Sequence, residues 1–338
     1  MRKSLLGLLF LLGVVYVIWN LAEVEAIGNT FQRGNWRYLT FALVLEVIWL
    51  INVAGSYWGI YRAIGLNEKI DTLLLASSGA YFVNVLAPSA GASGLAVFIS
   101  TARRRGYSTA RTTVAGVLYL FFDYAGFLCV LALGLIVLFR RDTLSATEIA
   151  ASAILVLIAI FFSGLLYLGM RSANALGATL AWIARQINRA LKPFIHRQYL
   201  SEARAHEFAQ EAASGLSEAR RKPKELILPI ALAITNKILL ISILLLIFLA
   251  FNVPLSIGTL IASFSIGYLF LIVSPTPAGI GVVEGALTLA LSSMYIPLGT
   301  AAIIALAYRG ITFWFPLALG GLSLRVLNYR WGLKVRPN

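Results

Sequence analysis

The chain has 338 residues, of which 59% are hydrophobic and only 12% charged, and its formal net charge is +14. A soluble domain carries about 25% charged residues, so this composition excludes an ordinary soluble enzyme or binding module and points to an all-α polytopic membrane protein. The basic surplus reports orientation in a bilayer before it reports nucleic acid, which is not expected as a partner.

The N-terminus, Met1-Arg2-Lys3, leads into a long apolar run. Val24-Glu25-Ala26 is a poor cleavage site, so the run reads as a retained signal anchor and first span, Ser4–Ala26. Five more runs reach the roughly 20 residues that a crossing helix needs: Arg37–Tyr61, Thr112–Phe139, Thr147–Met170, Leu226–Ala250 and Leu298–Leu324. Two further apolar stretches, about 72–101 and 255–295, are broken in the middle. The first break is Asn84-Val85-Leu86-Ala87-Pro88-Ser89-Ala90-Gly91-Ala92-Ser93-Gly94. The second is Ser274-Pro275-Thr276-Pro277-Ala278-Gly279-Ile280-Gly281-Val282-Val283-Glu284-Gly285. Helix-breaking backbone at membrane depth is tolerated where it is buried in protein or lines a wet cavity. A pair of interrupted segments is a pointer to a transporter site.

Charge sets the expected topology. With the N-terminus inside and both broken stretches re-entrant, twenty-two of the 28 Lys and Arg fall inside and four outside; Lys237 and Arg309 lie within spans. This satisfies the positive-inside rule, as two fully crossing pairs in place of the hairpins also would, with both termini cytoplasmic in the cell membrane. It also makes residues 226–338 an upside-down copy of the first half, residues 1–171, an inverted repeat of six full spans and two oppositely facing hairpins. The faint echo is Pro-x-x-Gly-x-x-Gly from Pro88 against Pro-x-Gly-x-Gly from Pro277. Residues 172–225 form a cytoplasmic linker. Within it Leu176, Leu180, Ile183, Ile187 and Leu191 make a narrow apolar stripe beside Arg185, Arg189 and Lys192, read either as an amphipathic helix on anionic lipid or as a helix packed on the bundle. Lys192-Pro193 ends it. Ala205–Lys222 reads as a more polar, exposed helix.

Five ionisable residues fall inside apolar segments: Glu46, Asp123, Lys237, Glu284 and Arg309. A charge at the bilayer centre costs roughly 2.5–3.5 kcal/mol on insertion scales, so such residues face the interior and pair. Glu46 and Lys237 lie near the middle of equivalent spans, as do Asp123 and Arg309. The expectation is one interior charge network; the alternative is a purely structural set of bonds. At the breaks, glycines bare backbone N–H groups and half-helix N-termini, which suit an anion such as phosphate. The candidate binding residues are therefore Asn84, Pro88, Ser89, Gly91, Gly94, Ser274, Pro275, Pro277, Gly279, Gly281, Glu284 and Arg309, with Ser93 and Thr276 adding hydroxyls.

Enzyme and cofactor signatures are missing. The sequence shows no Walker A loop, no Ser/His/Asp set and no HExxH. Cys129 is the single cysteine, and no Cys/His cluster suggests a metal. Neither a catalytic activity nor a cofactor is expected.

Four stretches together resemble the lysylphosphatidylglycerol synthetase transmembrane-region family, also called flippase-like domain proteins. They are Asn84 to Gly94 followed by Arg103-Arg104-Arg105-Gly106-Tyr107-Ser108; Leu118-Tyr119-Leu120-Phe121-Phe122-Asp123-Tyr124; Ser274 to Glu284; and Tyr308-Arg309-Gly310-Ile311-Thr312-Phe313-Trp314-Phe315-Pro316. The resemblance runs from about Leu73 onward. It implies movement of lipids, including aminoacylated phosphatidylglycerol, between leaflets, with Gly279, Gly281, Glu284 and Arg309 on motif positions. Many members carry a charged residue after the first glycine motif, where this chain has Leu95-Ala96-Val97. No soluble aminoacyltransferase domain follows the last span, so synthesis of lysyl-lipid is not expected. The readings are a translocase for a phospholipid or polyprenyl-phosphate lipid, an ion-coupled small-solute transporter, or a membrane partner presenting lipid to a separate transferase.

Overall fold

The computed structural model describes residues 21–86, 92–191, 202–274 and 276–330. Most of the expected first span, the break residues Pro88, Ser89, Gly91 and Pro275, the turn at Lys192-Pro193, His196 and the basic tail beyond Arg330 lie outside these residues. Among the described residues all regular structure is helical.

Helix α1 is Leu21–Arg33, running past the expected end at Ala26 because nothing stops it before Gly34. Asn35 then caps α2 (Trp36–Ala63) by accepting from Arg37 N. The first broken stretch is α3 (Ile70–Leu86) and α4 (Ala92–Arg104). Ser108 caps α5 (Thr109–Arg140), and a Ser145–Glu148 capping box opens α6 (Ala146–Arg171). The middle segment forms α7 (Ala173–Leu191) and α8 (Glu202–Arg221). Pro223 opens α9 (Pro223–Ala250), where its missing N–H is harmless. The second broken stretch is α10 (Ile257–Val273), a 3₁₀ turn (Pro277–Gly279) and α11 (Val282–Ser293). Finally α12 (Leu298–Arg309) continues through a π turn (Gly310–Trp314) into α13 (Phe315–Arg330).

Five of these segments are long and apolar enough to cross a membrane: α2, α5, α6, α9 and Leu298–Tyr329. Their outward faces are apolar too. Leu157, Ile160 and Phe161 of α6 are all more than half exposed, as suits lipid rather than water. The chain is a multi-pass membrane protein. At 1.5 Å per residue, α3 and α10 extend only about 25 Å each, short of a ~30 Å hydrocarbon core.

The helix pattern recurs. The lengths 28, 17, 13 and 32 of α2, α3, α4 and α5 are followed by 28, 17, 12 and 32 for α9, α10, α11 and Leu298–Tyr329. Packing follows the same exchange: α2 lies along α9, α3 packs on α13, and α10 packs on α5. Small residues permit the closeness. A Cβ on Gly320 of α13 would lie 2.4 Å from Ser78 O of α3, and one on Gly79 would lie 2.6 Å from Leu324.

One expectation is corrected. The Ala205–Lys222 segment is not an exposed helix: α8 buries Ala209, Ala212, Leu216 and Ala219 in the core formed with α2, α3 and α5. Its acidic residues meet the basic ends of the neighbouring helices. Glu218 pairs with Arg111 at 3.7 Å, Glu225 beyond α8 pairs with Arg62 at 3.7 Å, and Ser108 donates to Glu211. Helix α7 packs on α8 and α6. It buries Leu176, Ala181 and Ala184, while Ile187 of the expected stripe stays exposed.

Candidate functional site

Each break is built by local chemistry. At the first, the Asn84 side chain turns back on α4. Its Oδ1 accepts from Gly94 N at 2.6 Å and from Ser93 Oγ at 3.0 Å, satisfying an N–H that the start of α4 leaves unpaired. Gly94 is needed for this approach, because a Cβ there would lie 2.4 Å from the Asn84 amide. At the second break, Ala278, Gly279 and Gly281 have φ of 49°, 74° and 75°. Three left-handed residues in four positions cannot continue a helix. Ser274 Oγ and Thr276 Oγ1 lie 2.8 Å apart, and Thr276 Oγ1 donates to Ile280 O at 3.0 Å, tying the turn together.

The two breaks meet. A cavity of about 470 Å³ is walled by Asn84 and Tyr81 from the first and by Ser274, Thr276 and Ala278 from the second. Tyr119 and Asp123 of α5, Tyr268 of α10, Tyr308 and Arg309 of α12, and Trp49 of α2 add polar and aromatic groups to the lining.

The five intramembrane charges do not form the single network expected from sequence. They resolve into two pairs and a lone residue. Lys237 Nζ donates to Asp123 Oδ1 and to Tyr268 Oη, each at 2.6 Å, and Tyr268 Oη donates to Asp123 Oδ2 at 2.9 Å. Arg309 Nε donates to Glu284 Oε1 at 2.6 Å, and its Nη2 donates to Ala278 O at 2.9 Å. The guanidinium therefore holds the left-handed turn of the second break in place. Glu284 sits in the first turn of α11, where the helix dipole favours a carboxylate; its Oε2 has no partner. Glu46 is fully buried, and neither of its oxygens is bonded. The expected network fails because each cation is taken up by one carboxylate: Lys237 reaches across to Asp123 of α5, while Arg309 stays within the second half on Glu284, and Glu46 is left out.

Of the sequence candidates, Asn84, Ser274, Asp123 and Arg309 stand on the cavity wall. Glu284 lies behind Arg309 and Lys237 behind Asp123. Gly94, Pro277, Gly279 and Gly281 shape the breaks without lining the cavity, and Glu46 is one helical turn from the lining Trp49. Pro88, Ser89, Gly91 and Pro275 lie outside the described residues.

Sequence reasoning missed the aromatic lining and, within it, a matched pair. Tyr81 follows the start of α3 at Ile70 by 11 residues, and Tyr268 follows the start of α10 at Ile257 by 11. Tyr81 Oη donates to Thr312 O at 3.1 Å, and Tyr268 donates to Asp123. Thr312 follows Leu298 by 14 residues, as Asp123 follows Thr109. The two tyrosines thus reach corresponding places in opposite halves. A signal was present: Tyr81 precedes Pro88 by seven residues, and Tyr268 precedes Pro275 by seven. The charges, by contrast, are not in matching register. Lys237 falls 14 residues after Pro223, the place that Leu50 holds after Trp36.

The lining also has a chemical bias. Several of its acceptors already receive a bond: both Asp123 oxygens, Asn84 Oδ1, Ala278 O and Thr312 O. Among its donors, Trp49 Nε1 is buried without a partner, and Arg309 has five N–H groups of which the two bonds above use two.

A known family matches the chain over most of its length. The family described as the lysylphosphatidylglycerol synthase TM region matches residues 4–320, and the chain belongs to that family. No curated protein matches the chain significantly.

Proposed function

We propose, from membership of this family together with the bias of the cavity, that the protein moves an anionic lipid between membrane leaflets. The family ties the chain to membrane lipid handling. The observation that carries the finer reading is a cavity walled by both breaks, with a guanidinium and spare donors at Arg309 and Trp49. A phosphate supplies only acceptors, so it fits this surface, and Arg offers the planar fork that phosphate oxygens accept. A phospholipid, aminoacylated or not, and a polyprenyl-phosphate lipid share that group.

In this reading the headgroup enters the cavity while the acyl chains stay in the bilayer, and the two halves rock about the site as an inverted repeat. Supporting the repeat are the recurring helix lengths and the exchange-related packing. The charge asymmetry of the loops supports both termini being cytoplasmic in the cell membrane.

The test is reconstitution of the full chain into liposomes carrying labelled phosphatidylglycerol, a labelled aminoacylated form, or a labelled polyprenyl phosphate. Transfer of at least one class faster than in protein-free liposomes is the expected result. Rates equal to protein-free liposomes for all three would overturn the reading.

A further inference from the structure

Glu46 stands apart from the other buried charges. It lies at 0% exposure in the middle of α2, with both carboxyl oxygens unbonded. Ionised groups in protein interiors are stabilised by pairing, and an unpaired one costs several kcal/mol. The elements around it offer no such partner. Helix α9 presents Lys237, whose ammonium is bound to Asp123 of α5. Helix α12 presents Arg309, whose guanidinium is bound to Glu284 and Ala278 O. Helix α3 presents Tyr81, which donates to Thr312 O; α5 adds Tyr119 and Tyr124, and α1 carries Glu25 and Arg33. The π turn, Gly310–Trp314, has no titratable side chain. Tyr308, on α12, lines the cavity.

Glu46 is not isolated from the site. Trp49, one turn along the same helix, stands on the cavity wall with its Nε1 unpaired, and Asn52 follows with Oδ1 unpaired. Three side chains with buried, unmet polar atoms thus succeed one another at three-residue intervals along α2. Such atoms are where buried water enters when a site opens. An intramembrane carboxyl next to a translocation cavity, without a counter-ion, has the chemistry of a proton carrier.

We propose that Glu46 is a proton-binding site, loaded and unloaded as α2 and α12 move against each other, and that it couples the lipid movement proposed above to a proton gradient. The coupling rests on that function; the proton site does not. In the closed arrangement the carboxyl has no charge to accompany it. When the cavity wall at Trp49 and Tyr308 parts, water reaches the carboxyl and the proton leaves to the open side. Arg309 and Lys237 stay with their own carboxylates and so supply Glu46 with no counter-charge.

Two measurements on the full chain in liposomes test this. The first is the ratio of labelled phosphatidylglycerol transfer rates under opposite pH gradients, with the membrane potential clamped. A gradient of about one pH unit, tenfold in proton activity, changes the wild-type rate severalfold, and Glu46→Gln brings the ratio to unity whatever its absolute rate. The second reads the site without transport: a hydrophobic carbodiimide, which attacks protonated carboxyls, labels Glu46 in a pH-dependent way detectable by mass spectrometry. Wild-type transfer indifferent to both gradients overturns the coupling while leaving the lipid function standing. Absence of transfer overturns the lipid function, and labelling then decides the proton site alone. Labelling of Glu46 that is absent at every pH, or independent of pH, overturns the site.

Discussion

Tyr81 and Tyr268 hold corresponding positions on α3 and α10, and each donates a hydrogen bond into the opposite half of the molecule, to Thr312 O at 3.1 Å and to Asp123 Oδ2 at 2.9 Å. The acceptors differ in kind. Pro316 has no N–H to return to Thr312 four residues earlier, so Tyr81 serves a carbonyl that lacks its usual i+4 donor. Tyr268 serves a carboxylate. Hydrogen bonds to neutral groups contribute about 0.5–1.5 kcal/mol and those to charged groups about 1.5–3 kcal/mol. Tyr268→Phe is therefore expected to destabilise the protein more than Tyr81→Phe, by a margin readable in denaturant titration of the detergent-solubilised protein.

The Lys237–Asp123 pair gives a sharper prediction. Removing one partner of a buried pair costs roughly 3–5 kcal/mol, whereas replacing both with apolar groups is often neutral. Lys237→Met should be strongly destabilised, and Lys237→Met combined with Asp123→Leu should recover most of the loss. Unfolding midpoints of the two variants decide it; a double variant no better than the single one argues against direct pairing.

Arg309 should resist conservative replacement. Lys keeps the charge but cannot reach Glu284 and Ala278 O with a planar fork while leaving donors for a ligand. Arg309→Lys is expected to slow lipid transfer by about tenfold or more, the scale set by losing ~1.4 kcal/mol or more at one charged contact. Transfer assays on protein shown to be folded by size-exclusion chromatography check this. A rate equal to wild type would remove Arg309 from the site.

Gly94→Ala tests the first break. The added methyl meets the Asn84 amide at 2.4 Å, so the bonds from Gly94 N and Ser93 Oγ are lost together with the turn geometry. Overpacking of this kind typically costs 1–3 kcal/mol. Asn84→Ala, which frees the Gly94 N–H and the Ser93 hydroxyl without adding a clash, should cost less.

The docking of α8 is predicted to be apolar at root. Leu216→Ala should cost about 2–5 kcal/mol by opening a cavity. Glu218→Ala, removing a partner of Arg111 and Lys222 in pairs about a third exposed, should cost no more than about 1 kcal/mol and be salt-sensitive.

Much of this fold is visible in hydropathy because the bilayer forces the chain to satisfy its own backbone: long apolar runs must be helices, and Pro-Gly breaks must be sheltered. The crossing segments and both breaks follow from that. The site was only half legible. Asn84, Asp123, Ser274 and Arg309 announce themselves as polar residues in apolar surroundings. Tyr81, Tyr119, Tyr268 and Tyr308 do not, since an aromatic ring is ordinary in such a segment, and their hydroxyls gain meaning from what faces them. Pairing was illegible for the same reason: whether Lys237 meets Glu46 or Asp123 depends on the register between helices, which no single helix encodes. The burial of α8 was hidden by alanine. Ala209, Ala212, Leu216 and Ala219 follow helical spacing, yet three of the four are too small to stand out as an apolar stripe.

The π turn at Gly310–Trp314, where Phe315 N–H bonds back to Gly310 O, has a further consequence. Such a turn accommodates one extra residue in a helix, and each residue advances an α-helix by about 100°. The last span therefore behaves as two shafts joined out of phase. Tyr308 and Arg309 can face the cavity while Leu317 and Gly320 still seat against α3. That phase offset lets one continuous span serve two neighbours that no regular helix of the same length could face together: the guanidinium grips the second break from one side while the span's lower part lies against the first.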